Sequence, residues 1–247
     1  MILIEACIDS VADAVAAERA GAGCVELCAN LLEGGTTPSA GMVRTTVAKL
    51  SIPVGAIIRA RGGDFLYSSD EIEVMLRDIE AVKAAGAHGI VGGALHANGA
   101  IDEDGTEAML EAAAPLPFTF HRAFDLTRNL NESLDTCLAL GVTRVLTSGG
   151  CATAFEGADA LHRLHLRAKE RLVVMAGGGV RADHARQLVS RTGVRAIHLG
   201  PRRAAHSGMH LPPGPTRVNK TPGDGSSWME LDSAEVARVV QTLVNDA

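Results

Sequence analysis

The strongest constraint on this chain is a regular alternation of two patterns. Short runs of strand composition recur at Ile2 to Ile8, Cys24 to Cys28, Val54 to Arg59, Gly89 to Leu95, Phe118 to His121, Arg144 to Ser148, Leu172 to Ala176 and Ala196 to Leu199. Helical patterns lie between them, as in Ser69 to Ala85, where Ile72, Met75, Leu76, Ile79 and Val82 form one apolar stripe behind a Ser/Asp start signal. Glycines at 21, 86, 141 and 193 stand where helix C-caps are expected. Parallel strands need long crossovers, usually helical, and the spacing of roughly 25 to 30 residues is that of one strand, one helix and two loops. Eight such units match a closed barrel. An open doubly wound sheet is the runner-up, but the segment after the first strand is Ile8-Asp9-Ser10, with no glycine fingerprint. The expectation is therefore an α/β fold, a single (β/α)8 TIM-barrel domain over 1–247, and the 247 residues suit it.

Composition narrows the partners. Apolar residues make up 47% of the chain and aromatics 3%, so Ala, Val, Leu and Ile must build the core. The net charge of −6 comes without a long run of one sign or a basic cluster interleaved with aromatics, which argues against nucleic acid and anionic membranes. The five cysteines are scattered and odd in number, unlike a disulfide framework, and read as reduced thiols. The N-terminal MILIEACID lacks the pattern of a signal peptide, and no apolar stretch reaches membrane-spanning length. A cytoplasmic location is the expectation. One segment breaks the rhythm: 201–229 is rich in Pro, Gly, Ser and Arg without an apolar period, and is expected to be irregular before a last helix starting near Asp232. It reads as a lid, a subunit contact or disorder, and a homo-oligomer is compatible with it.

In a barrel the ligand face is built at the C-terminal ends of the strands. Strand one ends Glu5-Ala6-Cys7 and strand two Glu26-Leu27-Cys28, and alternation points each Glu and its Cys to one face. Two carboxylates and two thiols should therefore meet at the barrel mouth. Cys24 shares that face but lies deeper, as core. Buried carboxylates need partners, and Arg59 and Arg61 after strand three and His121 and Arg122 after strand five are the candidates, with Asp64 and Asp125 to orient them. A purely structural ion-pair network is the competing reading. The thiols Cys7 and Cys28 suit Cu(I), a soft ion, although two cysteines can equally be small buried hydrophobes. His121 is the expected general acid or base, with Glu5, Glu26 and Asp125 beside it as catalytic candidates.

Gly177-Gly178-Gly179 after strand seven allows close backbone approach to an anion, with Arg59, Arg61, Asp64, Arg122 and Ser148 as further substrate-binding candidates. Its plain alternative is a tight strand-to-helix turn.

Together these strings resemble the CutC family, named for copper homeostasis. The resemblance is carried by Glu5-Ala-Cys7, Glu26-Leu-Cys28, Gly34-Gly35-Thr-Thr-Pro38-Ser39, Arg59-Ala-Arg-Gly-Gly-Asp-Phe65, Thr119-Phe-His-Arg-Ala-Phe-Asp125, Arg144-Val-Leu-Thr-Ser-Gly149 and Gly177-Gly-Gly179. It implies a cytoplasmic barrel that handles copper. Two departures stand out: Ala60 replaces a proline usual in the family, and His198 is followed by Leu199-Gly200 where relatives carry small hydroxyl residues. Two functions follow as expectations: a Cu(I)-binding protein using Cys7 and Cys28, or a barrel enzyme acting on a small anionic or phosphorylated metabolite.

Overall fold

The computed structural model describes residues 2–209 and 227–244. Its frame is a closed barrel of β1 (Leu3–Ile8), β2 (Cys24–Leu27), β3 (Val54–Ile57), β4 (Gly89–Gly92), β5 (Phe118–Phe120), β6 (Arg144–Thr147), β7 (Val173–Gly177) and β8 (Ala196–Leu199). Each strand pairs in parallel with the next, and β8 closes on β1 through Leu3 opposite Ala196 and Glu5 opposite His198. Seven helices fill the crossovers: α1 (Val11–Arg19), α2 (Ala40–Val47), α3 (Ser69–Ala84), α4 (Glu103–Ala113), α5 (Leu130–Leu140), α6 (Ala158–Ala168) and α7 (Ala185–Thr192). An eighth, α8 (Ser233–Val244), follows β8 after a hairpin.

Local chemistry explains these boundaries. Ser68 and Glu71 form a reciprocal capping box at the start of α3, and Ser10 caps α1 by accepting the Asp13 N–H. Gly141 and Gly193 end α5 and α7 in the left-handed conformation, as their positions in the sequence suggested. On the α3 stripe Met75, Ile79 and Val82 are buried. Outward strand residues such as Ile4, Ala6, Ile8, Phe118 and Phe120 pack with the helices in one continuous cluster. Each fully buried Ile, Leu or Phe there contributes about 1.5–3 kcal/mol.

Inward residues divide the barrel into levels. Leu3, Leu146, Met175 and Ala196 pack together, and Cys7, Cys28, Ile57 and Val91 form a separate apolar group with Leu31. Glu5 sits between Leu3 and Cys7 on the inward face of β1, so the barrel axis is polar at mid-height.

The segment expected to be irregular over 201–229 is structured at both flanks. β9 (Arg202–His206) and β10 (Ser227–Leu231) pair antiparallel. Arg-Arg-Ala-Ala-His carries no apolar alternation, so nothing in its pattern announces a strand; pairing with β10 and the Arg203–Glu230 ion pair at 2.7 Å define it instead. The hairpin is tied to the barrel where Arg202 meets Asp9 and Asp13 and Leu231 N–H donates to Asp13. Residues 210–226 of the expected irregular segment lie outside the described residues. Among those described, no helix is long and apolar enough to cross a membrane.

Candidate functional site

The period of two turns Glu5 and Cys7 of β1 inward, with Cys24, Glu26 and Cys28 of and just beyond β2. Register sets Cys7 opposite Glu26 and Glu5 opposite Cys24. The two Glu-x-Cys pairs do meet inside the barrel: Cys7 Sγ and Cys28 Sγ are 3.7 Å apart, and Cys28 Sγ is 3.5 Å from Glu26 Oε1. The Cys28 thiol thus has one proton for two acceptors. Cys24 lies deeper, as expected, with its thiol 3.4 Å from Glu5 Oε2.

Barrel closure adds a residue that the sequence reading did not select. His198, inward on β8, places Nδ1 3.0 Å from Glu5 Oε1 and 3.5 Å from Glu26 Oε2, and it also hydrogen-bonds Cys7. Its signal was topological: in a closed barrel the last strand neighbours the first, so an inward polar residue on β8 must face Glu5. Room for the ring comes from Gly177, where a Cβ would stand 3.1 Å from His198 Cβ and 2.5 Å from Leu146 Cδ1.

The environment sorts the five titratable groups. Glu5 is buried, which alone would raise its pKa, but His198 and Arg144 outweigh this and hold it below the usual carboxylate value. Glu26 has weaker help, and burial beside the negative charge of Cys7 and Glu5 pushes it up to about 8. The Cys28 thiol donates to Cys7, and with His198 and Arg202 this holds Cys7 well below an ordinary thiol despite burial. Cys28 is driven the other way, well above the ordinary value. Burial works against a charged His198, yet its bonds to Cys7 and Glu5 win and raise it. These shifts favour negative charge on Cys7 and Glu5 and positive charge on His198, and disfavour negative charge on Cys28 and Glu26. Ligand atoms of Cys7, Glu26 and Cys28 lie close enough to share one ion, as do those of Glu5, Glu26 and His198.

The cationic partners differ from those expected. Arg144, at the start of β6, places Nη1 3.0 Å from Glu5 Oε2. Arg59 does not pair with the carboxylates; its guanidinium donates to the carbonyls of Glu33, Gly35 and Gly63 and stacks on Phe65 at 4.8 Å. Three loop carbonyls consume it. Arg61 likewise turns outward, to Asp64 at 2.9 Å and Glu71 at 2.6 Å. His121 is not among carboxylates: it lies against Phe65, Phe120 and the positive Arg59, and burial lowers it to about 3. Its Nδ1 accepts from Ala123 N–H, so the ring proton is on Nε2, which is buried without a partner among the described residues, as is Arg59 Nε.

The remaining expected residues gather at the ends of β5 to β7. Asp125 accepts from Arg122 Nε at 2.8 Å, from the Thr147 hydroxyl and from the backbone of Ser148 and Gly150, which makes it a splint between two loops. Arg122 Nη2 also donates to Ser148 Oγ at 3.0 Å. Gly178, at φ +115°, lies so close that a Cβ would stand 3.2 Å from Ser148 Cβ and 3.5 Å from Arg122 Cζ, and Gly179 packs against Thr153. Arg122, Ser148 and Gly178 thus form a second cluster, apart from the thiols. The structure does not bring Asp64 into either.

Comparison with known proteins accords with this architecture. Over 207 residues the chain is 47% identical to the copper homeostasis protein cutC homolog of Mus musculus, covering 84% of this chain and 76% of that protein. A crystal structure of a CutC protein from Streptococcus agalactiae superposes with a TM-score of 0.76 at 35% identity, covering 80% of this chain and 98% of that one. Phosphoribosylanthranilate isomerase from Thermotoga maritima shares the barrel alone, with a TM-score of 0.58 at 12% identity over 98% of both chains. The model of the CutC family matches residues 2–202. With that match and those relatives, this chain belongs to the CutC family.

Proposed function

We propose that the protein takes up Cu(I) between Cys7 and Cys28 as a cytoplasmic copper-handling barrel. The observation that carries this is the pair of buried sulfurs 3.7 Å apart. Thiolate–metal bonds are about 2.3 Å long in zinc sites, so both sulfurs can reach one ion between them without moving apart. Soft thiolates select Cu(I) over harder divalent ions, and the relatives' copper homeostasis names point the same way. The environment holds the Cys7 pKa well below that of an ordinary thiol, which favours its deprotonation on binding, whereas Cys28 is held above it. His198 lowers the Cys7 pKa, and Glu5 holds His198 in place. All five cysteines are free, which suits a reducing compartment. The test is a competition titration with a Cu(I) chelator under anaerobic reducing conditions. Wild-type protein should withdraw one equivalent, and Cys7→Ser with Cys28→Ser should not; equal uptake by both overturns the reading.

A second reading has its own observation. His121 Nε2 and Arg59 Nε are buried donors without acceptors among the described residues, and an unpaired buried donor calls for a partner. A small anionic metabolite that accepts from them, with Arg122, Ser148 and Gly178 at the neighbouring strand ends, would make the barrel an enzyme or a binding module. A thermal-shift screen of phosphorylated and carboxylated metabolites tests it, and failure of all of them to raise the Tm counts against it.

A further inference from the structure

The opposite end of the barrel holds a cavity of about 300 Å³, entered at the N-terminal ends of the strands and closed at its inner end by Glu5. Barrels of this class normally fill their interior with layers of bulky branched side chains. Here two adjacent inward positions, Gly55 on β3 and Gly89 on β4, are paired in register and carry no side chain. Their absence opens the space. The Arg144 guanidinium reaches it from β6 and Thr119 from β5, with His88 at the rim.

The donors around it are under-used. Arg144 donates Nη1 to Glu5 and also hydrogen-bonds the Cys24 thiol, which leaves further N–H groups of the fork. Its side chain is 25% exposed, so the remaining N–H groups are accessible. Thr119 is only 7% exposed and lines the cavity, so its hydroxyl can donate to a ligand there. His88 Nδ1 accepts from Val54 N–H at 3.2 Å, which leaves the ring proton of the neutral form on Nε2. Glu5 offsets the single charge of Arg144, so a ligand is held there by hydrogen bonds to the guanidinium fork, whose geometry matches the two coplanar oxygens of a carboxylate.

We propose that this cavity is a binding site for a small carboxylate, held by Arg144 and Thr119 at the end of the barrel opposite the thiols. The site is independent of the copper reading, since none of Cys7, Cys28 and His198 lines it. Glu5 nevertheless touches both ends, with Oε2 on Arg144 and Oε1 on His198.

The test is amide chemical-shift titration of the full chain with sodium acetate, against sodium chloride at the same ionic strength. The two glycines permit a direct control: a Cβ on Gly55 meets nothing nearer than 3.7 Å and one on Gly89 nothing nearer than 3.5 Å, so Gly55→Ala with Gly89→Ala narrows the cavity without a clash. Acetate should give saturable shifts at Gly89, Thr119 and Arg144 that chloride does not. Affinity should fall by roughly tenfold or more in the alanine pair and in Thr119→Val, the loss expected for one charge-assisted contact or its space. Absence of saturable shifts, equal shifts with chloride, or unchanged affinity in either variant overturns the proposal. Uptake of Cu(I) measured on the alanine pair should remain that of the wild type, which separates this outcome from failure of the thiol site.

Discussion

His198 Nδ1 stands 3.0 Å from Glu5 Oε1, joining the last barrel strand to the first across 193 residues of sequence. This contact orients the imidazole that hydrogen-bonds Cys7. His198→Asn should therefore raise the Cys7 pKa toward that of an ordinary thiol. Thiolate absorbance in the ultraviolet, taken as the difference from Cys7→Ser, checks this: ionisation should begin at higher pH in the variant, and an unchanged profile would detach His198 from the thiol.

The Glu5–Arg144 pair is the other support of that carboxylate. Arg144→Met leaves Glu5 buried with less compensation, and since Arg144 is partly exposed the cost should be about 2–4 kcal/mol, toward the lower part of the range for broken buried pairs. Adding Glu5→Gln should recover part of it. Urea unfolding of the single and double variants measures both steps, and a double variant less stable than Arg144→Met alone would contradict the pairing.

Gly177 is predicted to tolerate no side chain. A methyl group there meets Leu146 and the Cβ of His198, so Gly177→Ala should cost about 1–3 kcal/mol by overpacking and displace the imidazole. Reduced Tm together with a raised Cys7 pKa is the expected signature; lost stability with an unchanged thiol pKa would mean that Leu146 alone yields.

The position of His121 gives a pH dependence with a definite sign. Its pKa is about 3 in the fold against an ordinary 6.5, so between those values the unfolded chain binds a proton that the folded chain does not. Its contribution is complete above pH 6.5 and lost as pH falls, by up to about 1.4 kcal/mol per pH unit. Arg59 is the charged group against it, with the Phe65 ring against both and the Phe120 ring against the imidazole. Denaturant midpoints measured between about pH 5 and pH 7 should fall less steeply in His121→Asn than in the wild type.

The parts of this architecture that are local in sequence were legible there. Alternation along β1 and β2 suffices to bring Cys7 to Cys28, because neighbouring strands share one register. Depth along the barrel axis was not legible. It made Arg144, at the start of β6, the partner of Glu5, while Arg59 and Arg61, at the end of β3, are taken by loop carbonyls and surface carboxylates. The environment of His121 was missed for the same reason, since Phe65 reaches it from a loop whose path depends on Arg59. The β9–β10 hairpin has no apolar period to announce it, because backbone pairing and the clasp of Arg202 on Asp9 and Asp13 replace burial.

X-ray absorption at the copper edge of protein loaded anaerobically with one equivalent of Cu(I) tests the central claim most directly. Two sulfur scatterers should surround the ion in the wild type, and both should be lost in Cys7→Ser with Cys28→Ser. A first shell of nitrogen and oxygen alone in the wild type, or sulfur that persists in the double variant, would contradict the assignment of these two thiols.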